Sequence, residues 1–214
     1  ILMSSCTTNN GKKENMPPKY IFLFIGDGMS YNNVALTESY LSYKSGKLGG
    51  EQLLFTTFPQ FGSATSHSAD CRVTDSSASG TAISTGTKTN NAMLGVDPEG
   101  NKLRSMSYDL HDMGYNVGII SSVPVNHATP SSFYANSNSR YAYYSITEQL
   151  PGSGFEYFAA AGMINYYGDD DENPKDGADI MLEKQGVNVC FSIEEAKEAI
   201  KNGDMMLVCQ PYNK

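Results

Sequence analysis

The chain has 214 residues, 40% hydrophobic and 18% charged, enough for one or two domains with a real core and unlike a disordered chain. Its net charge of −8 repels nucleic-acid phosphates and argues against a protein that tracks a nucleic-acid backbone. No stretch reaches the roughly 20 consecutive apolar residues that span a bilayer.

The first feature in chain order is Ile1-Leu2-Met3-Ser4-Ser5-Cys6. It has the pattern of an apolar signal-peptide end running into a lipoprotein cleavage site, with Cys6 as the residue that takes the lipid. A frayed N-terminus with an incidental cysteine fits the same residues. Residues 7–18 read as a polar tether, so 1–18 are expected to stand apart from an α/β domain over 19–214. The other cysteines, Cys71, Cys190 and Cys209, show no CxxC spacing, which excludes a zinc knuckle, and four in this length are too few for a disulfide scaffold.

Residues 20–25 form a continuous apolar run that predicts a strand buried on both faces, ending at Gly26-Asp27-Gly28. A carboxylate at such a point is a hard oxygen donor for Mg²⁺ or Zn²⁺, or simply a turn aspartate. The small-residue segment 73–82 predicts a helix starting near Asp75-Ser76, where free N–H groups favour a bound anion beside a serine oxygen. Ordinary capping by Asp75 or Ser76 explains the same residues. No Gly-x-Ser-x-Gly elbow is present, so a hydrolase triad is disfavoured and metal activation is the remaining route to a serine nucleophile.

A helix is predicted over 103–113, with Gly114 closing it, and a strand over 116–121. Next comes Pro124-Val125-Asn126-His127-Ala128-Thr129-Pro130, in which His127 and Thr129, if extended, share one side. Further helices are predicted over 131–149, 176–185 and 193–201, the last two ending at Gly186 and Gly203, with Ser192 and Glu195 as a capping box. Strands are predicted over 155–160 and 205–209. Alternating strands and helices imply a mostly parallel sheet with helices on both faces, which binds ligands beyond the carboxyl ends of its strands. Arg140 is suited to a two-pronged clamp on phosphate, or is an ordinary surface arginine.

The order of these segments is more specific than any one of them. Ile25-Gly26-Asp27-Gly28-Met29, Thr74-Asp75-Ser76-Ser77-Ala78, Gly80-Thr81-Ala82, Ser84-Thr85-Gly86, Lys88-Thr89, His127-Ala128-Thr129-Pro130 and Arg140 together resemble the N-terminal half of alkaline phosphatases. The resemblance implies a phosphomonoesterase with two zinc ions and one magnesium. Ser76 would be the serine phosphorylated in turnover and a zinc ligand. Asp27 would bridge zinc and magnesium, and Thr129 would ligate the magnesium. Arg140 would bind two phosphate oxygens, steadied by Asp75. His127 stands where some members carry Asp, in or beside the magnesium shell.

The resemblance also implies phosphate monoester substrates and a homodimer, while the run through Cys6 implies the envelope of a bacterium as location (periplasm or surface, with Cys6 as lipid anchor). The family's remaining metal ligands include several histidines, and here none follows His127. The acidic run 169–172 lacks an EF-hand's glycine, Pro174 standing in its place, and reads as a solvated loop. The chain is therefore expected to be a fragment, inactive as it stands. The competing reading is a non-catalytic lipoprotein that binds phosphate or metal. A sulfatase or phosphodiesterase relative is disfavoured by Asp75-Ser76-Ser77-Ala78.

Overall fold

The computed structural model describes residues 17–168, 172–202 and 205–210. Cys6, most of the tether, Asp169 to Asp171 and Gly203 lie outside the described residues. Contacts divide the chain into two compact units, Ile1–Thr65 and Ser66–Lys214.

In the first unit, helix α1 (Tyr31–Ser45) starts where the Asn33 side-chain oxygen accepts from the Ser30 N–H at 3.0 Å and the Ser30 hydroxyl at 2.7 Å. It ends in a Schellman motif: Gly46 is left-handed, its N–H donates to the Tyr43 carbonyl and that of Lys47 to Ser42. Glu38 of α1 accepts from the Leu53 N–H and the Thr56 hydroxyl, tying the helix to a 3-10 turn at Leu54–Thr57.

The run 20–25 corrects the expectation of a doubly buried strand. Tyr20, Phe22 and Phe24 are exposed and Ile21 and Leu23 half-buried. That alternation is what an extended chain produces when one side only is covered. Within the run only Leu23 forms a β-bridge, so apolar composition alone has made the chain extended without making it a strand.

The second unit contains that sheet. Strands β1 (Gly118–Ile120), β2 (Tyr157–Ala160), β3 (Asn188–Cys190) and β4 (Met206–Cys209) lie in the order β1-β2-β4-β3, every pair parallel. Ile119, Phe158, Leu207 and Val189 align in one row across all four strands. Because strand side chains alternate, this row faces one core, shared with Leu182 and Met181 of α6 (Ala178–Glu183). Tyr157, Met206 and Val208 face the other way, against Ala196 and Ala199 of α7 (Ile193–Asn202). Helices thus cover both faces, as parallel sheets require.

Caps follow the sequence. Helix α3 (Met106–Asp112) is capped by Ser105 and closes at Gly114, where the N–H of Tyr115 donates to Leu110 and that of Gly114 to His111. Gly186 closes α6 in the same way. At α7 the Ser192 hydroxyl accepts the Glu195 N–H at 3.2 Å, while the Glu195 carboxylate accepts from Phe191 rather than from Ser192 itself.

The continuous helix expected over 131–149 is two short ones, α4 (Ala128–Ser131) and α5 (Tyr143–Thr147). Between them, Asn136-Ser137-Asn138-Ser139 spends its polar groups elsewhere. Ser137 pairs antiparallel with Leu94 through two hydrogen bonds, and the Asn136 amide donates to the carbonyls of Gly95 and Leu103. Asn and Ser compete for backbone partners, and here tertiary partners prevail over helix.

Candidate functional site

Helix α2 (Ser76–Thr85) carries the first site residues. Asp75 is its N-cap: Oδ1 accepts the Ala78 N–H at 2.9 Å and Oδ2 the Ser77 hydroxyl at 2.8 Å. Ser77 is fully buried and Ser79 bonds the Asp75 carbonyl at 2.8 Å, so both hydroxyls are committed. Ser76 is half-buried in the first turn, and its hydroxyl makes no hydrogen bond with any described residue. It stands beside the unpaired N–H groups at the positive end of a ten-residue helix.

Arg140 lies 65 residues further on, and its Nη1 donates to Asp75 Oδ2 at 3.0 Å. The guanidinium is nearly buried, 12% exposed, and its Nε has no hydrogen-bond partner among the described residues. A buried N–H of that kind calls for an acceptor, and a planar cation with one edge already held presents its remaining donors to an anion. Burial pushes the Asp75 carboxyl up. Donors from Ala78, Ser77, Arg140 and Ala92 outweigh it and hold the group below the ordinary aspartate value.

His127 is the N-cap of α4, with Nε2 at 3.4 Å from Arg140 Nη2, a contact that is a hydrogen bond only while Nε2 carries no proton. Thr129 is half-buried in the first turn of α4. The expectation that His127 and Thr129 share one side of an extended segment is corrected here, because the chain turns helical at Ala128, and Pro130 in the first turn is compatible with that. Asp27 belongs to the first unit, exposed in a turn closed by the Met29 N–H on the Gly26 carbonyl, with Gly28 left-handed at its third position.

The structure thus brings Asp75, Arg140 and His127 together beside Ser76. Helices α2 and α4 can approach because residue 80 is glycine: a Cβ there would meet the Ser132 hydroxyl at 2.6 Å and its Cβ at 3.0 Å. Gly80→Ala is therefore expected to destabilise by about 1–2 kcal/mol although alanine is the better helix former, because α4 must move. Urea unfolding of the variant checks this; a stabilised variant would show that the helices are not in tight contact.

Two asparagines escaped the sequence reading. Asn126 is fully buried and bonds the Tyr143 and Ile164 carbonyls, the Thr147 hydroxyl and the Ile164 N–H. It ties the start of α4 to α5, which follows Arg140. Asn91 holds the Asp75 N–H on its side-chain oxygen at 3.1 Å. Their signal was only that of polar residues in a turn-rich stretch.

Among the described residues no three His, Cys, Asp or Glu side chains converge on a point where a metal ion would sit. Hydroxyl, carboxylate and imidazole donors suit zinc and magnesium in kind, but in number they fall short of the four and six donors those ions take.

A sequence model of one family, Alkaline phosphatase, matches residues 18–165. The chain belongs to the alkaline phosphatase family. The alkaline phosphatase 4 of Bacillus subtilis is 32% identical over 136 residues, 60% of this chain and 28% of that protein. Among solved structures, alkaline phosphatase from the Antarctic bacterium TAB5 superposes with a TM-score of 0.67 at 22% identity, covering 83% of this chain and 51% of that one. A histidine-to-aspartate variant of the TAB5 enzyme, described with Mg bound in its M3 site, superposes with a TM-score of 0.66 at 23% identity, covering 81% of this chain and 50% of that one. The chain thus spans between about a quarter and a half of the length of these alkaline phosphatases. The parallel sheet with helices is the fold they share with it.

Proposed function

We propose that the chain carries the nucleophile and phosphate-binding half of a metal-dependent phosphomonoesterase that works through phosphoserine at Ser76. The observation that carries this reading is the uncommitted Ser76 hydroxyl at a helix N-terminus, beside serines whose hydroxyls are bonded. In the first step the Ser76 Oγ–phosphorus bond forms as the ester oxygen–phosphorus bond breaks, releasing an alcohol. In the second, water attacks the same phosphorus and releases inorganic phosphate and the serine. Arg140 holds two equatorial oxygens and offsets their charge, and Asp75 fixes the guanidinium plane.

Two zinc ions and a magnesium complete the proposal. Asp27 and Ser76 would serve the zinc side and Asp27, Thr129 and His127 the magnesium side, with further donors beyond those described. When bound, such ions supply Lewis acidity for serine deprotonation and for the leaving oxygen. The alkaline phosphatases this chain resembles support the same substrates, phosphate monoesters. The run through Cys6 supports a lipid anchor in a bacterial envelope, and a homodimer belongs to the same proposal.

The small number of metal donors gathered among the described residues favours one other reading, phosphate binding without turnover. Zinc-dependent labelling of Ser76 by a phosphate monoester separates the two. Arg140→Ala in the native gene product is expected to weaken inorganic phosphate binding by about 10²–10⁴-fold, since charged hydrogen bonds are each worth about 1.5–3 kcal/mol and two are lost. Calorimetry checks this, and unchanged affinity would remove Arg140 from the site.

A further inference from the structure

We infer that Asn91 and Ala92 form a backbone clamp that sets the orientation of the Asp75–Arg140 pair, making Ala92 a positioning residue for phosphate; the inference rests on the phosphatase reading only for the purpose the pair serves. Residues 90–93 form a turn closed by the Met93 N–H on the Asn90 carbonyl at 3.2 Å. Its third residue, Ala92, has φ +67°. That position is ordinarily taken by glycine or asparagine, because a Cβ disfavours left-handed backbone. Here the costly conformation falls where the chain meets the site.

Ala92 touches both members of the pair. Its N–H donates to Asp75 Oδ2 at 3.0 Å, the same oxygen that accepts Arg140 Nη1 at 3.0 Å. Its carbonyl accepts the Arg140 N–H at 2.7 Å. The three residues therefore close a ring: carboxylate to guanidinium, Arg140 backbone to Ala92 carbonyl, Ala92 N–H back to the carboxylate. Asn91 fixes the ring to α2, its side-chain oxygen accepting the Asp75 N–H at 3.1 Å and its amide donating to the Val73 carbonyl at 2.9 Å. The Asn91 N–H is held in turn by Asp70 at 2.9 Å. Without the ring, Asp75 keeps its capping bond to Ala78 and Arg140 its salt bridge, but the Arg140 backbone loses its hydrogen bond to the turn that Asn91 ties to the head of α2. Strained backbone at a site persists only where surrounding contacts over-determine it, and the five hydrogen bonds of Asn91 and Ala92 do so here.

The test compares Ala92→Gly, Ala92→Val and Asn91→Ala, alone and on an Asp75→Ala background, in the native gene product. Glycine keeps the N–H and the left-handed turn, whereas a β-branched residue does not tolerate it. Two quantities are read: hindered rotation of the Arg140 guanidinium by ¹⁵N NMR without phosphate, and inorganic phosphate affinity by calorimetry. Wild type and Ala92→Gly should show the hindered signal and equal affinity. Ala92→Val and Asn91→Ala should lose the signal and bind phosphate about fivefold more weakly, as expected for one or two lost hydrogen bonds. On the Asp75→Ala background both effects should be smaller than on the wild type, because the carboxylate that Ala92 and Arg140 share is gone and interacting residues are non-additive. If Ala92→Val does not fold, Asn91→Ala, a half-buried turn residue, decides the matter by the same readings.

Unchanged signal and affinity in the folded variants, or effects that simply add to that of Asp75→Ala, would overturn the clamp. A wild type that holds Arg140 rigid yet never forms phosphoserine would defeat the phosphatase reading and leave the clamp standing.

Discussion

Replacing Ser76 with alanine is expected to abolish phosphoserine formation and lower turnover of a phosphate monoester by at least about 10³-fold, since the neighbouring Ser77 and Ser79 hydroxyls are already bonded. The fold should not suffer. The Ser76 hydroxyl bonds no described residue, and alanine in a helix is better than serine by up to about 0.5 kcal/mol, so unfolding should be unchanged or slightly delayed. Ser77→Ala supplies the opposite case. It removes the 2.8 Å bond to Asp75 from a fully buried position, so it should cost about 1 kcal/mol while leaving phosphoserine at residue 76 detectable. Rapid acid quench followed by peptide mass mapping reads the first quantity and urea titration the second. Full turnover by Ser76→Ala would end the nucleophile assignment; equal loss of activity in both variants would show that the N-cap, not the hydroxyl, is what matters.

The sheet could be read from the sequence where a single local rule decides. The apolar runs that became β1, β2 and β4 are bounded by turn residues, and Gly114 and Gly186 mark helix ends because left-handed caps want glycine. Asp75 and Ser76 at the head of α2 were likewise legible, since capping is local. What escaped was decided at a distance. Strand β3 has only three residues, Asn188–Cys190, and exists because β4 offers it a ladder. The helix expected across 131–149 is broken by asparagines and serines whose partners, Leu94, Gly95 and Leu103, lie more than 30 residues earlier. In the site, the nearness of Arg140 to Asp75 came only from the family resemblance, because nothing local brings together residues 65 apart. Ala92 gave no warning at all: alanine is the last residue composition would nominate for a left-handed turn.

Phe158 should carry one of the largest stability effects in the second unit. Its ring is fully buried on β2, whose register sets it between Ile119 of β1 and Leu207 of β4. It meets Tyr134 edge-on at 5.5 Å and lies parallel to Phe155 at 6.4 Å. Phe158→Ala removes this ring from a packed centre, and the expected cost is about 3–5 kcal/mol, a large share of the 5–15 kcal/mol typical of a domain. Phe158→Leu keeps most of the volume and should cost less than about 1.5 kcal/mol if the neighbours repack. The loss should also reach the site, because the Tyr134 hydroxyl holds the Val125 carbonyl at 3.0 Å, two residues before His127. With its ring unsupported, Tyr134 can no longer brace that segment, so amide exchange at 125–129 should rise in Phe158→Ala before the sheet itself opens. Simultaneous loss of protection across sheet and α4 would mean instead that the two unfold as one cooperative body, and that the site takes its rigidity from the sheet and not from this single contact.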